Sequence, residues 1–172
     1  MLEVELKAKV DKESIGDKLL EEGAIFVRQE RQIDTYFSHP CWNFKLRDEV
    51  LRVRQAGNVF YLTFKGPRID NETKTREEIE VEVKGDIFSL LDALGFMPSK
   101  KVIKQRKIYQ WQDLILSLDE VENLGSFLEI EAKRMEDKDK ILNFFNRLGI
   151  KNSSLIKKSY LELIKEEGEK NE

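Results

Sequence analysis

Leu2-Glu3-Val4-Glu5-Leu6-Lys7-Ala8-Lys9-Val10 alternates without a break, with every even position apolar and every odd one charged. Successive side chains of a strand point to opposite faces, so this segment is a strand with one apolar and one wholly charged face. The pattern recurs along the chain. Leu51-Arg52-Val53-Arg54 alternates, as does Phe60 to Lys65. Arg76, Glu78, Glu80 and Glu82 oppose Glu77, Ile79, Val81 and Val83, and Leu114, Leu116 and Leu118 oppose Ile115, Ser117 and Asp119. Leu128, Ile130 and Ala132 oppose Glu129 and Glu131. Together with Arg31 to Phe37, and with Val102 to Arg106, which sets Lys104 and Arg106 on one side, about eight strands are predicted.

Helices fall between some of them. Asp11 can cap a helix carrying Ile15, Leu19 and Leu20 and stopped by Gly23; Asp86 starts a second over Ile87, Leu90, Leu91 and Leu94, stopped by Gly95. Asp137 or Asp139 starts a third over Ile141, Leu142, Phe145 and Leu148, ending at Gly149. Ser159 with Glu162 is a capping box for a short last helix, and residues 166–172 are expected to form a flexible tail on a single domain of residues 1–165. A weak internal repeat relates Glu3-x-Glu5, helix, Gly23 and Tyr36 to Glu129-x-Glu131, helix, Gly149 and Tyr160, with a shorter third copy from Glu78-x-Glu80 through Gly95 to Tyr109.

Composition narrows the function. The chain has 172 residues, 30 Lys+Arg against 33 Asp+Glu, one His (His39) and one Cys (Cys41). One Cys leaves no intramolecular disulfide and no Cys/His zinc cluster, and one His argues against Ser-His-Asp or Cys-His catalysis. A net charge of -3 is no case for nucleic-acid or membrane-surface binding, and no apolar run or leader is visible; a cytoplasmic protein is expected.

Two architectures satisfy such strands. One is an open sheet with a solvated charged face. The other is a closed barrel whose apolar face is covered by helices while its charged face lines a lumen. The charges favour the second. Acids sit in x-Glu-x-Glu-x pairs on some strands and bases in Arg-x-Arg or Lys-x-Arg pairs on others, and residues i and i+2 project side by side. Glu3/Glu5 and Glu129/Glu131 are hard-oxygen pairs suited to Mg2+ or Mn2+. Arg52/Arg54 and Lys104/Arg106, with Lys7 and Lys65, are donors suited to phosphate oxygens. A dry interior could not hold so many charges, whereas a wet lumen occupied by a metal and a polyanion could.

These residues resemble the CYTH proteins, the triphosphate tunnel metalloenzymes. The likeness runs through Glu3-x-Glu5-x-Lys7, Asp34-Thr-Tyr36-Phe, Leu51-Arg52-x-Arg54, Phe64-Lys65-Gly66-Pro67, Arg76-x-Glu78 and Lys104-Gln-Arg106-x-x-Tyr109. It continues with Asp119, Gly125-x-Phe127-x-Glu129-x-Glu131 and Ser159-Tyr160-Leu-Glu162-Leu163. The resemblance implies an α+β fold, an eight-stranded antiparallel barrel forming a tunnel, with flanking helices. It implies Glu3, Glu5, Glu129 and Glu131 as metal ligands. Lys7, Arg52, Arg54, Lys65 and Arg76 would bind the phosphate chain, joined by Lys104 and Arg106, which with Asp119 beside the metal form the expected catalytic group. Within the family the segments around Lys104, Asp119 and Glu129 are most similar to class IV adenylyl cyclases, implying ATP as substrate, cyclic AMP and pyrophosphate as products, and a homodimer. Glu78 and Glu80, a secondary acidic pair, and Glu131 are more reminiscent of triphosphatase members acting on inorganic, thiamine or nucleoside triphosphate. A binding module without turnover would need the basic pairs but not the acidic ones.

Other residues are expected to be structural. His39-Pro40-Cys41-Trp42 is an inter-strand loop with Trp42 and Phe44 packing down. Phe26, Phe144 and Phe145 are core candidates, Trp111 is buried against a helix, and Gly66-Pro67 is a turn.

Overall fold

The structure, a computed structural model, describes residues 1–70 and 73–170. The strands are β1 (Leu2–Lys9), β2 (Ile25–Ser38), β3 (Val50–Ala56), β4 (Val59–Arg68), β5 (Lys74–Val83), β6 (Met97–Trp111), β7 (Leu114–Val121), β8 (Gly125–Ala132) and the short β9 (Leu155–Ile156). They form one antiparallel sheet in the order β5-β4-β3-β2-β6-β7-β8-β1-β9, and a β5–β1 pairing closes the first eight into a barrel. One edge of β1 pairs with β8; the other is shared, Leu2 to Glu5 with β5 and Lys7 and Ala8 with β9.

The hydrophobic core lies outside the barrel. Val4, Leu6 and Ala8 of β1, Leu114, Leu116 and Leu118 of β7, and Leu128 and Ile130 of β8 pack under two helices, α1 (Lys12–Glu21) and α3 (Lys138–Arg147). These contribute Ile15 and Leu19, and Ile141, Phe144 and Phe145. Burying each such side chain stabilises the fold by about 1.5–3 kcal/mol. Helix α2 (Ile87–Ala93) covers a smaller cluster at Phe37 and Val53 through Ile87 and Leu91. Because apolar side chains on one face are drawn outward under helices, the alternating charged face is obliged to point into the lumen. At one end of the lumen the inward-facing Val102, Val121 and Phe127 meet Tyr160 of α4 (Tyr160–Lys170), an apolar seal on that side.

Local signals set the helix ends. Asp11 accepts from the Ser14 N–H at 2.9 Å and Asp86 from Ser89 at 3.0 Å. Ser159 and Glu162 form the reciprocal box, with Ser159 N–H donating to Glu162 at 2.7 Å and Glu162 N–H to the Ser159 hydroxyl at 3.2 Å. Gly23, Gly95 and Gly149 follow helices at φ of 85°, 86° and 79°, conformations that a side chain would strain. Two copies of the repeat are strand-helix-strand units, β1-α1-β2 and β5-α2-β6; in the copy that follows β8 and α3, Tyr160 lies on α4 rather than on a strand.

Several expectations are corrected. β2 and β6 extend well beyond Arg31–Phe37 and Val102–Arg106 as a paired ribbon, and Phe26 is 49% exposed, its ring edge-on to that of Tyr109 at 5.5 Å. Gly66 and Pro67 continue β4 rather than turning, with the register shift of a bulge between Lys65 and Arg68. Asp137 does start α3, at its N-cap position, although its carboxylate accepts from Arg134 at 2.8 Å rather than from a helix N–H. Trp42 does not pack down; it is 45% exposed. Helix α4 runs past Glu166, where the tail was expected, to Lys170, with Glu166 paired to Lys158; Asn171 and Glu172 lie outside the described residues. Trp111 does turn away from the lumen, its ring 4.6 Å from that of Phe144.

Candidate active site

The lumen has two chemically distinct walls. On β1, β5 and β8 the register sets Glu5 opposite Glu131, Lys7 opposite Glu129 and Glu5 opposite Lys74. Lys7 Nζ donates to Glu129 at 2.7 Å and to Glu5 at 3.1 Å, while Lys74 pairs with the same Glu5 oxygen. Lys65, from β4, lies between Glu3 at 2.5 Å and Glu78 at 2.7 Å. Glu80 accepts from the Thr63 hydroxyl at 2.8 Å.

The facing wall, on β2, β3, β6 and β7, is built from two arginine forks. Arg54 grips Asp34 through Nε at 2.7 Å and Nη2 at 2.8 Å. Arg106 grips Asp119 through Nε at 2.7 Å and Nη2 at 2.6 Å, and reaches Glu129 at 3.0 Å. Both aspartates are buried, and a buried ion pair is tolerated only when hydrogen bonds satisfy its remaining lone pairs and protons. Lys104 lies between the forks, 3.6 Å from Asp34 and 3.9 Å from Asp119. Arg52 reaches Asp34 at 3.4 Å, Thr63 at 3.2 Å and Glu80 at 3.5 Å. From α4, the Tyr160 hydroxyl donates to Asp119 at 2.8 Å, and its ring centroid lies 4.6 Å from the Lys7 ammonium and 5.1 Å from that of Lys104.

Crowding perturbs the ionisation of both walls. Burial raises Glu3 to about 8 despite Lys65, so that of the two carboxylates sharing Lys65 it is Glu3 that holds a proton, while Glu78 is lowered. Burial and the neighbouring Glu5 and Glu129 raise Glu131 to about 7. Glu5 and Glu129, although burial opposes it, are held below the usual carboxylate range, Glu5 chiefly by Lys7 and Lys74 and Glu129 by Lys7 and Arg106. Lys104 is brought down to about 7 by burial and by Arg106, against the pull of Asp119 and Asp34. Such opposed shifts within one cleft are characteristic of functional sites.

Both walls line one cavity of about 920 Å³. Residues 1–160, which carry every strand of the barrel, match the CYTH domain. The chain belongs to the CYTH family. CYTH proteins bind triphosphate substrates and depend on a divalent metal. A Methanocaldococcus jannaschii protein named "Putative adenylate cyclase" is 40% identical over 172 residues, spanning 95% of this chain and 98% of its own. Adenylate cyclase CyaB of Aeromonas hydrophila is 23% identical over 147 residues, spanning 81% and 75%. The solved structure of the PH1819 protein from Pyrococcus horikoshii superposes with a TM-score of 0.84 at 39% identity, covering 96% of this chain and 99% of that one.

Of the residues marked in this CYTH sequence, Glu3, Glu5, Lys7, Arg52, Arg54, Lys65, Arg76, Glu78, Glu80, Lys104, Arg106, Glu129 and Glu131 all line the cavity. Two differ from expectation in what they do there. Asp119 is 0% exposed and does not line the cavity, its oxygens taken by the Arg106 guanidinium and by Tyr160, so it supports that guanidinium. Arg76 donates to Gly66 O at 2.8 Å, Asp48 O at 2.5 Å and the Asp48 carboxylate at 2.8 Å, bonds that tie the β2–β3 loop to β5. Three contributors were missed. Lys74 precedes Arg76 by two residues, one step before the stretch read as alternating. Asp34 was marked only by its motif. Tyr160 reaches the lumen from a helix, which no strand periodicity can announce.

The donor chemistry fits a divalent metal. Among the described residues Glu131 has no ion-pair or hydrogen-bond partner, and burial beside Glu5 and Glu129 raises it to about 7, an arrangement that a bound cation would relieve. As the side chains stand, no three such groups among the described residues are gathered closely enough to hold an ion, because Glu3, Glu5 and Glu129 are each turned to a lysine. Among the described residues no helix is long and apolar enough to cross a membrane.

Proposed function

We propose that this protein is a metal-dependent enzyme that converts ATP to cyclic AMP and pyrophosphate. The observation that carries the reading is that Arg52, Arg54, Lys104 and Arg106 line one cavity together with Glu3, Glu5, Glu129 and Glu131. The basic wall binds the triphosphate, with Arg54 and Arg106 held in fixed orientations by Asp34 and Asp119 so that little ordering remains to be done on binding. Lys104, whose nearest partners among the described residues are Asp34 at 3.6 Å and Asp119 at 3.9 Å, can donate to a phosphate oxygen. Glu3, Glu5, Glu129 and Glu131 would hold Mg2+ or Mn2+, which supplies charge neutralisation on the phosphates and acidifies a bound hydroxyl. The ribose 3′-oxygen attacks the α-phosphorus in line as the bond to the β-phosphate breaks. The hydroxyl proton passes to the acidic wall, where Glu131 alone of these four carboxylates has no lysine or arginine partner among the described residues. Pyrophosphate leaves against Arg52 and Lys104. The two adenylate cyclase names among the relatives support this choice of reaction.

A triphosphatase is the second reading, favoured by Glu78 and Glu80 on the same face as Lys65, carboxylates that could orient water at a terminal phosphorus. Incubation with ATP, and separately with inorganic triphosphate, in Mg2+ or Mn2+ separates the two. Cyclic AMP with pyrophosphate, lost in Glu5→Ala/Glu129→Ala, is the expected result; orthophosphate in its place establishes the hydrolase.

A further inference from the structure

The loop between β2 and β3 is more ordered than a connector requires. Trp42 N–H donates to His39 O at 3.2 Å, Phe44 N–H to Trp42 O at 3.2 Å, and Glu49 N–H to Phe44 O at 2.9 Å. Its far end is fastened by Asp48, which accepts from Arg76 and from the Arg68 N–H at 2.9 Å. Its near end leans on Phe96, 4.9 Å from the His39 ring and 6.4 Å from that of Phe44.

Within this frame the Trp42 indole is held in place yet left 45% exposed. Its Nε1–H donates to Glu49 at 2.8 Å, and the Arg47 guanidinium, itself bonded to Glu49 at 3.0 Å, stacks 4.1 Å from the ring centroid. Trp42 lines the cavity of the two charged walls, and Arg47, which does not line it, covers one face of the ring. An immobilised aromatic face at the rim of a phosphate-binding cavity costs apolar exposure that a phosphate chain alone does not offset. The cavity, at about 920 Å³, is also at the upper end of what an organic ligand of drug size occupies.

We propose that Trp42 is the stacking platform for the aromatic base of a nucleoside triphosphate, with the triphosphate running inward to Arg52, Arg54, Lys104 and Arg106. This assigns the substrate class as nucleotide rather than inorganic triphosphate, and it rests on the reading above that the cavity takes a triphosphate.

Titration calorimetry with Mg2+ tests it, using the α,β-methylene analogue of ATP and inorganic triphosphate against wild type, Trp42→Ala and Trp42→Phe. Stacking of a base on an aromatic ring predicts about 10-fold weaker binding of the analogue to Trp42→Ala, recovery in Trp42→Phe, and a change of less than about 2-fold for inorganic triphosphate. Equal weakening of both ligands, or unchanged analogue binding, overturns the platform, since Trp42 would then only shape the loop. Wild type that binds inorganic triphosphate but not the analogue also overturns it while sparing the triphosphate site. Failure of wild type to bind either ligand overturns both.

Discussion

Arg106 holds Asp119 through two hydrogen bonds of 2.7 and 2.6 Å at the one site-motif residue that does not reach the cavity. The aspartate is thus a support for the guanidinium, as Asp34 is for Arg54. Removing one partner of a buried, hydrogen-bonded pair leaves the other charge uncompensated. Asp119→Ala is expected to lose about 3–5 kcal/mol of stability. Tyr160→Phe, which removes a single donor to the same carboxylate, should lose about 1 kcal/mol. Urea unfolding of the two variants checks both figures; equal small losses would show that the fork carries no strain of burial.

Lys104 gives binding a pH dependence. Its folded value of about 7, against an ordinary 10.5, means that above neutrality the free protein carries it largely uncharged. A polyanion favours the charged form, so binding between pH 7 and 9 draws in a proton and affinity for inorganic triphosphate falls as pH rises through that range. Calorimetry in buffers of different ionisation enthalpy should register the proton uptake. Lys104→Gln should flatten the profile while lowering affinity at pH 7.

The acidic wall gives stability a pH dependence in the same direction. Glu3 and Glu131, raised to about 8 and about 7 from 4.5, bind more protons folded than unfolded between those values. Their contribution is therefore fully present below pH 4.5 and is lost as pH rises through 7 to 8. Metal-free protein should lose part of its thermal stability over this range relative to Glu131→Gln, and Mg2+ should raise the melting temperature more at pH 8 than at pH 5. A Mg2+ effect independent of pH, or unchanged in Glu131→Gln, would remove Glu131 from the metal site.

Phe145 tests the placement of the core outside the barrel. It is 0% exposed between α3 and the outer face of the sheet. Phe145→Ala should cost about 3–5 kcal/mol through lost burial and the cavity left behind. The lumen side chains do not touch this cluster, so the affinity of the folded variant for triphosphate should be unchanged.

Period-2 alternation is a local property, and it was enough to orient every charged face once the apolar faces needed covering. Helix ends were equally local, since a cap such as Asp11 or Ser159 reaches only three residues along the chain. The errors fell where a residue's environment comes from elsewhere. Phe26 is apolar and in a strand, yet it stays 49% exposed with its ring against that of Tyr109. Trp42 stays exposed because Glu49 and Arg47 fix it there.

By itself, then, the sequence determined that the chain would make charged-inside strands capped by short helices, and that carboxylate and basic pairs would stand on separate strands of a lumen. Only the tertiary structure decided which charge meets which. Lys7 and Glu129 are 122 residues apart and Lys65 and Glu3 are 62 apart, and their contact depends on strand register around a closed barrel. Closure likewise decided that Asp119 supports Arg106 and that Tyr160 enters from α4. Ion pairing falls off over a few ångströms, so a position that differs by one step of register changes a ligand into a buttress.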